Sequence, residues 1–171
     1  MSKALLVIDL QNDYFPEGKF PLWNTDITLQ NIEHAIAKAN SSKVPVVLIQ
    51  HVANSSVGIA PFFNAGTSGV ELHPRILAAA PGAPVIIKES ADSFLNTTLS
   101  ETLAKMGTTE LFVCGMMTQN CVTHTAISKS AEKYSVKILA DCCTTVSEIL
   151  HKIALNALSP RVSLVRSGDA F

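Results

Sequence analysis

The sequence predicts an α/β fold: one three-layer domain over residues 1–171, built on an open, mostly parallel six-stranded sheet with helices on both faces. Two observations predict it. Short runs rich in Val and Ile recur at the length of buried strands, and most are separated by stretches whose apolar residues fall three and four apart. Strand then helix, repeated, makes a parallel sheet, because each return to the sheet needs a crossover. With 171 residues, 47% of them hydrophobic, the chain can bury a continuous core without help from disulfides or metal.

Taken in order, the first apolar run is residues 4–8, which ends at Asp9; helical spacing follows over 27–41. The second run, 44–50, ends in Gln50 and His51. Residues 53–83 contain Gly, Pro, Asn and the pair Phe62-Phe63 but little periodicity, and read as a long connection with one short helix at 74–80. A connection of that length is usually functional or mobile, so it is a candidate wall or lid over a site. The third run, 84–87, stops at Lys88 and leads to a helix at 96–106. The fourth, 110–114, enters a glycine turn and a helix over 119–134. The fifth, 136–140, is followed by a helix at 147–158 and the sixth run at 162–165. No repeat, low-complexity tract or linker divides the chain.

A formal net charge of −1 and a pI near 6.5 remove the electrostatic reason to expect nucleic acid or an acidic membrane as partner. A small, roughly neutral ligand is expected. No apolar run approaches the roughly 18 residues of a membrane span, so neither export nor membrane insertion is expected, and the compartment read is the cytoplasm. The cysteines, Cys114, Cys121, Cys142 and Cys143, have neither zinc-site spacing nor the density of a disulfide scaffold. Cys142 and Cys143 read as small apolar filler, or as a vicinal disulfide acting as a redox switch.

In such sheets right-handed crossovers place the ligand site beyond the carboxyl ends of the strands. Cys121 falls there, in the first turn after the strand-glycine elbow of Glu110-Leu-Phe-Val-Cys-Gly-Met-Met-Thr-Gln-Asn-Cys-Val. Backbone N–H groups and the helix dipole at that place would lower the thiol pKa and supply donors to an oxyanion; the bland alternative is a small residue packed in an elbow. Asp9 and Lys88 end two other apolar strands, where neutral side chains are easier to accommodate. A carboxylate beside a thiol can take its proton, and an ammonium can hold the carboxylate and stabilise negative charge.

Three segments in register resemble the isochorismatase-like cysteine hydrolases: the strand into Asp9-Leu-Gln-Asn-Asp-Tyr-Phe, Lys88 followed by Ser93-Phe94, and Gly115-Met-Met-Thr-Gln-Asn-Cys121-Val. The second strand ending in Gln50-His51 is similar too. The resemblance implies the Rossmann-like fold of that superfamily, with Asp9 as general base, Lys88 as its charged partner and Cys121 as nucleophile forming a thioester that water hydrolyses. It also implies a non-proline cis peptide at Met116-Met117 and an oxyanion hole from the backbone N–H groups of Met117 and Cys121.

Relatives that hydrolyse nicotinamide carry an Asp-x-His pair after the second strand as part of a metal site; here that place reads Gln50-His51-Val52-Ala53. No metal and no cofactor are therefore expected, His73 alone being too few ligands for zinc. Isochorismatases proper act on a vinyl ether and typically lack the cysteine, so Cys121 points to a C–N bond of an amide, carbamoyl or imide. Nicotinamidase-type activity and a non-catalytic small-molecule binder that keeps the fold are the alternatives; a redox protein using Cys142 and Cys143 is the third.

Gln50, Phe15 and Trp23 are candidate substrate contacts near the mouth, although aromatic residues equally fill cores. His124, three residues past Cys121, either reaches the pocket or packs under the site or at a subunit interface. Asp13 and Asp141 lean towards loop and cap roles. The resemblance implies a homo-oligomer, dimer or tetramer. A mean hydropathy of +0.29 with 16% charged residues is consistent with more apolar surface than a monomer can hide.

Overall fold

Every apolar run forms a strand in the computed structural model, which describes residues 2–171. The strands are β1 (Lys3–Ile8), β2 (Val46–His51), β3 (Val85–Lys88), β4 (Glu110–Met116), β5 (Ser135–Thr144) and β6 (Ser163–Val165). They lie in one sheet in the order β3-β2-β1-β4-β5-β6, and every neighbouring pair is parallel. The central strands are apolar after their first residues, Lys3 and Glu110, because they are covered on both faces: β1 from Ala4 to Ile8 and all of β4 are buried.

The helices are α1 (Thr25–Ser41), α2 (Pro74–Ala79), α3 (Leu99–Lys105), α4 (Thr123–Ala126) and α5 (Glu148–Leu158). Growth of the sheet runs outward from β1 to β3, then restarts on the other side of β1 at β4. Right-handed crossovers therefore put α1 and α2 on one face and α3 to α5 on the other. Packing agrees: α1 lies against α2, and α5 against the turn after β4. The α1 stripe of Leu29, Ile32, Ala35, Ile36 and Ala39 is buried at three- and four-residue spacing.

Because the order reverses between β1 and β4, their carboxyl ends flank the crevice where such sheets bind ligands. Register aligns the ends: Ile8 pairs with Ile49 on one side and Gly115 on the other, and His51 pairs with Lys88. Asp9, His51, Lys88 and the turn after β4 thus emerge along one edge.

Four elements differ from the sequence reading. The stretch 119–134 is not one helix but a π turn over Thr118–Val122, then α4, then a 3-10 turn over Lys129–Ala131. Side-chain hydroxyls compete with the helix here: Thr123 Oγ1 donates to the Thr118 carbonyl at 2.6 Å, and Ser128 Oγ accepts from Ser130 N. The helix at 96–106 contracts to α3, because Asn96 takes a left-handed φ of 55° and the Thr97 hydroxyl bonds back to the Ser93 carbonyl. β4 runs on through Met116. β5 runs through Thr144, so that Asp141, Cys142 and Cys143 lie within the strand rather than beyond it.

Candidate active site

Asp9 is the first residue past β1 and has a positive φ of 55°, a conformation aspartate tolerates better than most residues. Its N–H donates to the Ile49 carbonyl at 3.0 Å, which pins the turn to β2. On the other side β4 approaches through Gly115, whose φ is 122°; a Cβ there would lie 2.1 Å from the Ile8 carbonyl oxygen. Only glycine lets the two strand ends come so close. One residue further on, the Met116–Met117 peptide bond is cis, and the π turn that follows carries Cys121.

Lys88 ends β3, two strands away from β1, and its long side chain spans the end of β2. Its ammonium stands 3.0 Å from Asp9 Oδ2, 3.2 Å from Cys121 Sγ, 2.9 Å from His51 Nδ1 and 2.9 Å from the Ser90 carbonyl. The side chains of Asp9 and Lys88 are wholly shielded from solvent, and Cys121 is 1% exposed. Three residues far apart in sequence meet at one buried cation.

The electrostatics follow from burial and from that cation. Burial alone would lower the Lys88 pKa, but the Asp9 carboxylate, helped by the nearby Cys121 sulfur, outweighs it and holds the amine protonated, above its ordinary value. Cys121 moves the other way from the sequence expectation. Burial and the adjacent Asp9 carboxylate push its pKa up, and the opposing pull of Lys88 does not offset them. The expected thiolate is therefore corrected to a resting thiol: the π turn is followed by only four α-helical residues, too short a dipole to offset desolvation. Neither Asp9 oxygen has a hydrogen-bond donor in line with it, although Lys88 lies at ion-pair distance. That carboxylate has open lone pairs facing a thiol. His51 is held below its ordinary pKa by burial and by Lys88.

An aromatic cover closes over the group. Tyr14 packs on Phe63 at 4.5 Å and on Phe62 at 5.4 Å between ring centres, Phe20 packs on Phe62 at 4.7 Å, and Phe63 faces the His51 ring at 5.9 Å. Asp13 locks this cover: Oδ2 accepts from Phe63 N at 2.8 Å and Oδ1 from Lys19 N at 3.2 Å. Of the residues 53–83, Phe62 and Phe63 thus stand beside the group, with the Asp13 carboxylate tied to the Phe63 backbone.

The other candidates lie apart from the four-residue group. Phe15 packs against His73, ring centres 4.3 Å apart and tilted at 45°, beside a cleft of about 650 Å³ lined also by Asp13 and Gly69. Gln50 Nε2 donates to the Val70 carbonyl and borders a second cleft, of about 470 Å³, with Leu72, Leu77 and Val85. Trp23 is about one-third exposed, its ring 6.1 Å from that of His151. His124 is turned back to the Asn120 carbonyl, 2.8 Å from its Nδ1. Neither cleft is lined by Asp9, Lys88 or Cys121. Asp141 holds Ser167 through its N–H and hydroxyl, a structural role. Cys142 and Cys143 are free, buried thiols in β5.

The sequence reading named His51 but gave it no role; its signal was the same as that of Asp9 and Lys88, a polar residue closing an apolar strand. Asp9, His51 and Cys121 bring carboxylate, imidazole and sulfur ligand atoms within 4.8 Å of one another, donor types that zinc accepts. The Lys88 ammonium already stands within 3.2 Å of each. A metal ion would have to share that point with a buried positive charge, so these residues do not fit a resident ion. His73 is occupied elsewhere, capping α2 by accepting from Arg75 N.

The family model of the isochorismatase domain matches residues 3–170. An uncharacterised isochorismatase family protein of Bacillus subtilis strain 168, YddQ, is 35% identical, the alignment covering 100% of this chain and 99% of that protein. Nicotinamidase 3 of Arabidopsis thaliana is 29% identical over 91% of this chain and 80% of its own. Among solved structures, an isochorismatase family protein from Desulfovibrio vulgaris superposes with a TM-score of 0.87 at 24% identity, covering 98% of this chain and 95% of that one, a likeness of fold.

Proposed function

This chain belongs to the isochorismatase family of hydrolases, and from that premise we propose that it cleaves the C–N bond of a small amide, carbamoyl or imide through a Cys121 thioester. The observation that carries the reading is the buried Lys88 ammonium, 3.0 Å from the Asp9 carboxylate and 3.2 Å from the Cys121 sulfur. Amide cleavage by the nicotinamidase relative supports the bond type.

Asp9 takes the thiol proton as Sγ attacks the substrate carbonyl carbon, so that the thiolate forms only during attack. The oxyanion is received by the N–H groups of Met117 and Cys121 and by the positive charge of Lys88. Collapse breaks the C–N bond as Asp9 returns the proton to the leaving nitrogen, which departs as ammonia or amine. Water, deprotonated by Asp9, then attacks the thioester carbon, and the proton passes back to sulfur as the acid is released. No step needs a metal or cofactor. Entry requires the Phe62-Phe63 cover to lift, and its closure keeps bulk water from the thioester precursor.

Incubation with a panel of small amides should release ammonia or amine; Cys121→Ala and Asp9→Asn, both folded, should abolish it. Turnover persisting in Cys121→Ala would remove cysteine catalysis. The shielding of Cys121 favours a second reading, a binder that keeps the fold; slow thiol alkylation together with no turnover on any amide would select it. The enzyme is further proposed to act as one domain in the cytoplasm and as a homo-oligomer, without nucleic acid or membrane partners.

A further inference from the structure

We propose that His51 is a positioning residue: with the Ser90 carbonyl it engages two of the three N–H bonds of the Lys88 ammonium, aims the third at Cys121 Sγ, and so leaves the Asp9 carboxylate open to receive the thiol proton. This deepens the hydrolase reading and rests on it. An ammonium has three N–H bonds and no lone pair. Here three acceptors meet hydrogen-bond geometry, His51 Nδ1 at 2.9 Å, the Ser90 carbonyl at 2.9 Å and Cys121 Sγ at 3.2 Å. Asp9 Oδ2 is as near, at 3.0 Å, but out of line, and both its oxygens lack a donor.

Removing the imidazole acceptor would let one N–H swing to Asp9. That would saturate the carboxylate and weaken it as a base, while the net charge of the site stayed the same. His51 does not itself take the thiol proton: its Nδ1 is 4.0 Å from the sulfur, and its lone pair is held by Lys88. For that lone pair to face an N–H, the ring proton must sit on Nε2. The groups around the ring are Asp9 past β1, Lys88 on β3, Cys121 in the π turn and Phe63 in the cover. Glu89 offers a backbone carbonyl to the ring.

The test compares His51→Leu, which removes the acceptor, with His51→Asn, whose Oδ1 can stand near the lost nitrogen. In the full-length protein, iodoacetamide modification of Cys121, located by peptide mass, should slow about 10- to 100-fold in His51→Leu and stay within about fivefold of wild type in His51→Asn. kcat on any amide found in the panel should follow the same order with KM little changed. Leucine and asparagine variants that react equally, or a leucine variant as fast as wild type, would overturn the proposal. A measurement on the unaltered protein guards against misfolded variants: ¹⁵N NMR of its imidazoles at neutral pH should show His51 protonated on Nε2 alone. Protonation on Nδ1 would overturn it equally. Neither the alkylation contrast nor the tautomer depends on turnover, so a silent amide panel would sink the hydrolase reading while leaving these two results to be judged separately.

Discussion

At the scale of single residues, the site is organised around one buried charge. Lys88 and Asp9 compensate each other in a place where neither side chain meets water, and removing one partner strands the other. Lys88→Met should therefore cost about 3–5 kcal/mol in urea unfolding, whereas the double variant Asp9→Asn/Lys88→Met should recover most of it. A double variant as unstable as the single would show that the loss came from packing instead of charge. Three histidines add a pH dependence. Burial is the leading cause that holds His51, His73 and His151 below their ordinary pKa, so the unfolded chain binds more protons than the folded one as pH falls through about 6.5. Their stabilising contribution is complete above that value and is lost on acidification towards the folded pKa values. The thermal midpoint should be flat from pH 7 to 8 and decline below about 6.5, with a shallower decline in His51→Asn.

At the scale of elements, the approach of β1 to β4 sets the position of both reacting side chains. Gly115→Ala would put a methyl group against the Ile8 carbonyl and strain a φ of 122°. A loss of about 3 kcal/mol is expected, with Cys121 and Asp9 displaced relative to each other and turnover lost even in the folded fraction. The latch between Asp13 and the cover is a separable device. Asp13→Ala deletes the acceptor of the Phe63 and Lys19 N–H groups. Stability should fall by about 1–3 kcal/mol while iodoacetamide reaches Cys121 faster than in wild type. An unchanged rate of modification would mean that the aromatic cover does not control access.

At the scale of the whole molecule, apolar residues remain at the surface in groups. Ile149 and Ile153, one turn apart on α5, are 74% and 59% exposed, with Val146 just before them. On the far edge of the sheet, Val85 and Ile87 of β3 face outward with Leu77 of α2 nearby. Stripes of this kind are what subunit contacts cover. Sedimentation at micromolar concentration should give a species larger than 18.3 kDa, and Ile149→Lys/Ile153→Lys should shift it towards the monomer. A wild-type protein that sediments as a monomer would contradict the homo-oligomer.

The α/β class, the strands and the candidates Asp9, Lys88 and Cys121 were legible in the sequence because each depends on local pattern: apolar runs too short for helices, two charged residues placed where such runs stop, and a cysteine just past a strand-glycine elbow. The π turn was not legible, since Thr123 and Ser128 redirect the chain through side-chain hydrogen bonds that hydrophobic spacing does not register. Nor was the protonation state of Cys121. A sequence places the thiol after a strand, but its pKa depends on how much water it loses and which charges stand beside it, and those charges come from β1 and β3, one and three positions from β4 in the sheet order, only after folding. The same holds for His51. Its residue type and place were visible, whereas its hold on the Lys88 ammonium arises from the parallel register that sets His51 opposite Lys88.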